Sequence, residues 1–536
     1  MKMKRLIAGL LALVMVCGMM TGCGKKKETT AKGGTLKVGI PQKVSVSDYE
    51  DNAFTNYIES KTGVQIEFVY FSSTASEYKQ QLSLMAASNE EFPDVILGFN
   101  NLGTRTVNQY GEDGYFLDLT DLIGKADAFK AHYDGLSDKV KELVDIRMTN
   151  INDGKIYGMP YVGQVLIDNI QSLGFINQKW LDAVGMKAPA TIDELYAVLK
   201  AFKTQDPNKN GIADEIPMLG GNALMNYVIN AYVYYEEGHP YNIDDSGEVY
   251  APYITKEYRD GLIQLNKLCK EGLYSDMSFT VTSNTELKNL YTPSSGTATV
   301  GIICGHPSNK TNTSSAILDE YVALPPLSDA TGKGGYLVVS DDAVYLAGFI
   351  TKDCENPELA MEFMDFFYED ETITRGRHGE KDVDWQTGSG VDIYGNEVTT
   401  VVVNENAFFD GNATWCTNVL GIHTAKNYNC VSAEGNTAGQ KTARLLAGSY
   451  ELISKYPVKE ETVRNLEYTD AEDAIKEDYE GTLNTYVREE AKQFVMGTKN
   501  PNSDSDWNAY VKQIEELNLS GVLKIKKDAY NRSVSK

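Results

Sequence analysis

Between Thr35 and Gly98 the chain alternates short apolar runs with helical ones, and this order narrows the fold more than any other feature. Residues 36–40 read as a strand and 52–60 as a helix closing near Gly63. Residues 65–71 read as a second strand, 77–88 as a second helix and 93–98 as a third strand. A strand–helix–strand–helix–strand order calls for a parallel sheet with right-handed crossovers, because no tight turn reaches a parallel neighbour. The expected class is therefore α/β. Ligands of such sheets collect beyond the carboxyl ends of the strands. Asn100 and Asn101 directly follow the third strand, which makes them candidates for hydrogen bonds to a ligand; ordinary polar loop residues are the alternative.

Residues 1–22 have the form of a signal peptide. Lys2, Lys4 and Arg5 precede an apolar run over 6–20, and a run of about fifteen residues is short for a membrane crossing. Thr21 and Gly22 then precede Cys23, which resembles the lipobox of bacterial lipoproteins and implies a lipid on Cys23, although Met20 stands where that motif usually has leucine. A plain secretory signal is the alternative. Residues 23–34 would be a lipidated, polar, flexible tether. The formal charge is −25, and loss of the three positive charges in residues 1–22 would leave it near −28. Such an acidic chain argues against a nucleic-acid partner. Beyond Cys23 lie Cys269, Cys304, Cys354, Cys416 and Cys430, an odd set with no C-x-x-C spacing. Buried thiols are the default reading, with a Cys416–Cys430 bridge as the alternative.

The stretch 204–217 carries the clearest chemistry. Oxygen side chains recur at Asp206, Asn208 and Asn210, Gly211 follows, and Asp214 and Glu215 come next. Alternate residues of a tight loop point inward, and a hard cation such as calcium takes such an oxygen array. The carbonyl of Ile212 would fill the position between Asn210 and Asp214. The spacing follows the opening of an EF-hand loop, D-x-[DN]-x-[DN]-G, and departs at the twelfth position, where Pro217 stands. Glu215 would replace the missing carboxylate. The alternative is a hydrophilic turn. A helix over 192–202, opened by a capping box at Thr191 and Glu194, leads into the loop. The loop's expected role is structural.

Further along, the run Phe175-Ile-Asn-Gln-Lys-Trp-Leu-Asp-Ala-Val-Gly185, then Ala188-Pro-Ala-Thr-Ile-Asp-Glu-Leu195, then the calcium-like loop, resembles the lipoprotein family of extracellular solute-binding proteins. These serve bacterial ABC importers, mostly for sugars and oligosaccharides, and include alginate-binding members with a calcium loop of the same form. The stretches 296–305, 356–364, 376–396 and 505–532 resemble further family segments in the same order, so the likeness covers nearly all of 35–536. It implies a two-lobe periplasmic-binding-protein-like fold with a hinge. Lobe one would hold 35–157 plus 345–410, and lobe two 160–342 plus 411–536. It implies partners too: a carbohydrate ligand, ABC permease subunits and the membrane through the lipid anchor, for a monomer at the outer face of the cell membrane. By the same likeness His306 would follow a strand reaching the cleft, and Trp415 would supply a stacking ring. Tyr161, just past the first hinge crossing, is a third aromatic candidate. A core ring is the alternative reading for Trp415.

No H-E-x-x-H, G-x-S-x-G, phosphate loop or G-x-G-x-x-G occurs, so no catalytic residue is assigned. The 33 tyrosines beside four tryptophans suit sugars, whose flat C–H faces and hydroxyls match a ring with a polar tip. The expected function is capture of a sugar, most simply an oligosaccharide, for import. A cell-surface lectin without transport is the second reading and a glycoside hydrolase the third.

Overall fold

The computed structural model describes residues 33–534 apart from 151, 165–169, 171–172, 282, 308–310, 313–314, 330, 340–342, 393, 405–406, 408–411, 428–436, 457–462, 465 and 467. The opening strands form as β1 (Gly34–Pro41), β2 (Val64–Phe71) and β3 (Val95–Leu97), joined by α1 (Ala53–Thr62) and α2 (Ala75–Ser88). β1 pairs in parallel with both others, Gly34 opposite Val64 and Val38 opposite Val95. Val38 and Ile40 are fully buried, as befits a strand covered on both faces. The Asn52 side chain accepts the Phe54 N–H to start α1, and Gly63 ends it in the left-handed region at φ 71°.

Helices α3 (Thr104–Glu112), α4 (Asp127–Asp134) and α5 (Asp138–Met148) follow, then β4 (Met159–Gln164). A second sheet then begins with β5 (Gly174–Asn177), α6 (Gln178–Val184), α7 (Ile192–Thr204) and β6 (Ile216–Met218). The capping box of α7 forms in full between Thr191 and Glu194. After a small hairpin of β7 (Asn242–Ile243) and β8 (Val249–Tyr250), β9 (Val300–Cys304) and β10 (Tyr321–Ala323) complete that sheet in the order β10-β5-β9-β6. β11 (Ala343–Ile350) returns to the first sheet, followed by α8 (Pro357–Asp365) and α9 (Asp370–His378). A hairpin of β12 (Trp385–Val391) and β13 (Glu397–Val402) comes next, then β14 (Gly421–Thr424). The first sheet has six strands in the order β14-β4-β11-β3-β1-β2. Helices α10 (Ala438–Ile453), α11 (Asp470–Met496), α12 (Asp504–Glu516) and α13 (Leu519–Val534) close the chain.

Two apolar cores result. One gathers residues from Leu36 to Val162, from Val344 to Tyr368 and from Trp415 to Ile422. The other gathers Ile170 to Val339 and Leu445 to Val522. The chain passes between them three times, after β4, before β11 and after β14, and these three strands are neighbours in the six-stranded sheet. The architecture is α/β, with two lobes and a hinge. The hand-over points differ from the sequence spacing, which would give 160–164 and 415–422 to the second lobe. β4 and β14 pair with each other in the first sheet, Tyr161 opposite Gly421, and this pairing carries Tyr161, Val162, Trp415 and Ile422 into the first core.

Among the described residues no helix is long and apolar enough to cross a membrane. Cys23 and Cys430 lie outside the described residues, and so does the alternative Cys416–Cys430 bridge. Cys269, Cys304, Cys354 and Cys416 carry no disulfide.

Candidate functional site: the cleft between the lobes

A cleft of about 800 Å³ opens where the carboxyl end of β3 meets the hinge and the start of α11. Its first wall comes from lobe one. The chain leaves β3 through Asn100, and the first turn of α3, Thr104 to Thr106, lines the cavity. Gly103 caps α3 without a side-chain bond, so the first N–H groups of that turn have no cap oxygen. Asn100 donates through Nδ2 to the Asn418 carbonyl at 3.1 Å. Its Oδ1 is buried with no hydrogen-bond partner. A buried acceptor left unpaired costs on the order of 1–3 kcal/mol.

The floor is the hinge. Tyr345 of β11 lines the cleft and sits opposite Tyr161 of β4. Their rings stack with centroids 4.8 Å apart and an interplanar angle of 6°. His423 of β14 stacks on the other side of Tyr161, also at 4.8 Å. Burial pushes the Tyr345 hydroxyl far above its ordinary range, with the neighbouring Tyr161 adding to the shift. Tyr345 therefore stays a neutral donor and acceptor. The second wall comes from lobe two, with Leu466, Tyr468, Asp473, Lys476 and Glu477 at and before the first turns of α11. Arg105 Nη1 reaches across to Glu477 Oε2 at 2.8 Å.

Of the sequence candidates, the cleft takes Asn100. Asn101 is exposed, and its N–H donates to the Tyr78 hydroxyl at 3.0 Å. Tyr161 is 9% exposed and supports Tyr345 from behind. His306 is half-buried at the end of β9, away from the described lining. Trp415 corrects the expectation of a stacking platform, since it is 1% exposed in the first core. Phe54, Phe68 and Phe367 surround it at 5.2, 5.5 and 5.7 Å between centroids. Its Nε1 donates to Thr55 Oγ1 at 2.8 Å. The cause lies in the loop before it. Asn412 Oδ1 accepts the N–H groups of Ser47 and Asp48, each at 3.1 Å, and Asn52 Nδ2 donates to the Thr414 carbonyl at 2.9 Å. These bonds fold the loop onto the start of α1 and press the indole inward. Sequence reasoning missed Tyr345, Arg105 and Glu477. The signal for Tyr345 was its place on a hinge strand beside a second tyrosine.

The loop at 206–215 is closed by hydrogen bonds among its own residues. Asp206 accepts the N–H groups of Asn210 and Gly211 at 3.2 and 3.1 Å. Gly211 takes φ 74° with open space around its missing Cβ, so its backbone conformation is what calls for glycine. Asn208 and Asn210 donate through Nδ2 to Asp214 at 3.2 and 3.1 Å. The Ile212 carbonyl accepts from the Asp214 N–H at 3.0 Å. Burial, with the nearby Asp214 and Asp206 carboxylates, holds the Glu215 carboxyl above its usual range. Its Oε1 is buried without a hydrogen-bond partner. Among the described residues no three His, Cys, Asp or Glu side chains form a group that could hold a metal. The oxygen set here is shared between carboxylates and amides, which suits a hard cation.

Comparison with known proteins agrees with this architecture. The family model described as bacterial extracellular solute-binding protein matches residues 44–373. The fructooligosaccharide ABC transporter substrate-binding protein FusA of Streptococcus pneumoniae serotype 4 is 24% identical over 574 residues, covering 99% of each chain. The polygalacturonan/rhamnogalacturonan-binding protein YtcQ of Bacillus subtilis is 27% identical over 341 residues. That match spans 61% of this chain and 62% of the relative's length. A solved extracellular solute-binding protein from Bifidobacterium longum subsp. infantis has a TM-score of 0.74 at 21% identity, covering 93% of this chain and 98% of its own.

Proposed function

This chain belongs to the bacterial extracellular solute-binding protein family, and from that premise we propose that it captures an oligosaccharide in the cleft and delivers it unaltered to the permease of an ABC importer. One observation carries the reading: a cavity of about 800 Å³ lined by both lobes, with the hinge tyrosine Tyr345 at its floor. A ligand there touches both lobes at once, and those contacts supply the free energy for closing them. Tyr345 offers a ring face to a sugar, with Asn100 lining the cleft beside it. The carboxylates at the cleft are engaged in binding contacts. Glu477 pairs with Arg105, and Glu112 Oε1 accepts from the Asn150 and Asn152 amides at 2.9 and 3.0 Å. Calorimetry against a panel of mono- and oligosaccharides tests this, with X-ray scattering to follow compaction. Reversible binding with unchanged glycan is the expected result. Binding of peptides or amino acids alone would refute the sugar assignment, and release of shorter sugars would make the protein an enzyme.

Two further parts belong to the reading. Calcium is held at Asp206, Asn208, Asn210, Asp214 and Glu215 with the Ile212 carbonyl. The support is the buried, partnerless Glu215 oxygen beside two other carboxylates. The ion would supply charge neutralisation there and fix the turn between α7 and β6. Cys23 carries the lipid that tethers the protein to the outer face of the membrane, a point that rests on the sequence alone. Cys23→Ala should release the protein to the medium or leave it unprocessed; a variant anchored and processed as before would refute it.

A further inference from the structure

We infer that the glycan is acidic: the cleft takes an oligosaccharide bearing carboxylates, and Arg105 is the residue that selects for them. This rests on the proposed oligosaccharide reading and narrows it. The chain as a whole has 75 acidic against 50 basic residues, yet among the described residues of the cleft lining the basic side chains outnumber the acidic ones. Its lining contains Lys79, Arg105, Arg147 and Lys476 against Glu112, Asp473 and Glu477. The excess lies on the lobe-one wall, where among the described residues Lys79, Arg105 and Arg147 line the cavity with Glu112 as the one acid. Glu112 is turned toward the Asn150 and Asn152 amides. A low-dielectric cavity with an excess of one sign focuses the field and draws ligands of the other sign.

The ion pair between Arg105 and Glu477 shows what this wall binds. Glu477 stands on α11, in the other lobe, and places a carboxylate oxygen 2.8 Å from the Arg105 guanidinium inside the cleft. The protein's own carboxylate thus occupies the position that a uronate carboxylate of the ligand would take. A guanidinium holds a carboxylate through two parallel N–H donors. Nη1 makes the 2.8 Å contact with Glu477, and the pair is half open to solvent, with 45% and 63% side-chain exposure. A ligand carboxylate that engages both donors in a closed cleft displaces Glu477 at little cost, because exposed pairs of this kind are weak.

The test compares trigalacturonate with its methyl ester, which has the same sugar skeleton without the charges. Calorimetry at low and at physiological salt should show the acid binding at least tenfold more tightly than the ester, with the difference shrinking as salt rises. Arg105→Gln should lower affinity for the acid by about tenfold or more and leave the ester unchanged. Glu477→Gln, which removes the internal competitor, should raise affinity for the acid. Circular dichroism of both variants checks folding, and either variant alone suffices to test the direction. Equal binding of acid and ester overturns the inference. So does binding of a neutral oligosaccharide while both trigalacturonate forms fail, a result that leaves the proposed function standing. No binding by any glycan overturns both.

Discussion

Trp415 is the residue on which two accounts of this protein part most sharply. As a stacking platform, its loss would cost ligand affinity and leave the fold intact. As the core ring seen here, its loss should cost stability. A buried indole removes roughly 150–250 Å² from water, worth roughly 4–6 kcal/mol at ~25 cal/mol per Å². Partial collapse of the site brings the usual cost of a Trp→Ala change to about 3–5 kcal/mol. The edge-on contacts with Phe54 and Phe68 and the bond to Thr55 Oγ1 place Trp415→Ala at the upper end of that range. Thr55 also donates to the Tyr49 carbonyl at 2.7 Å, so the variant disturbs the turn before α1 as well. Trp415→Phe keeps most of the apolar area and loses the Nε1 bond, for about 1–2 kcal/mol. Denaturant unfolding followed by circular dichroism measures both, with calorimetry on the folded variants. If Trp415→Ala leaves stability within about 1 kcal/mol of the parent while affinity falls ten- to a hundredfold, the ring lines the site in solution and the packing argument fails.

Tyr345→Ala should do the reverse, lowering glycan affinity by about tenfold; unchanged affinity in calorimetry would remove the hinge ring from the site. Calcium at a hundredfold excess over its Kd should add about 2.7 kcal/mol to stability. EGTA should then lower the melting temperature, Asp206→Ala should abolish that sensitivity, and a melting curve indifferent to chelator in metal-stripped buffer would count against the ion. Burial, together with Arg377, holds His378 down to about 4. Burial, with Arg377 and His378 adding to it, holds His423 down to about 3. Both imidazoles are neutral in the fold, so their contribution is whole above the ordinary histidine range near pH ~6.5. It is lost as pH falls below that toward the depressed values, at about 1.4 kcal/mol per pH unit for each. Urea midpoints should fall between pH 7 and 4.5, and a flat profile there would refute the buried-neutral assignment.

The elements that local patterning revealed are those whose determinants lie within a few residues. α1 stops at Gly63 because the backbone there turns left-handed. α7 starts at Thr191 because Glu194 answers it three residues on. The 206–215 loop closes on its own Asp206. Trp415 was illegible for the opposite reason. Its partner Thr55 lies 360 residues away, and the loop before Trp415 reads as polar and turn-rich until Asn412 is seen to bond Ser47 and Asp48. The lobe boundaries failed at the same place, since β14 is too short to announce which sheet it joins.

The same distinction explains why the cleft could not be read residue by residue. Apart from α3, its lining comes largely from the ends of elements: the exit of β3, the end of α5, one tyrosine near the start of β11 and the first turns of α11. Such positions carry no periodic signal, because they are chosen by what the other lobe brings opposite them. Arg105 and Glu477 are the clearest case, a pair that exists only once three hinge strands have set α3 against α11. An exposed ion pair of this kind contributes about 0–1 kcal/mol, too little to hold two lobes closed alone. On the proposed function, a ligand touching both lobes would add the contacts that this pair alone does not supply.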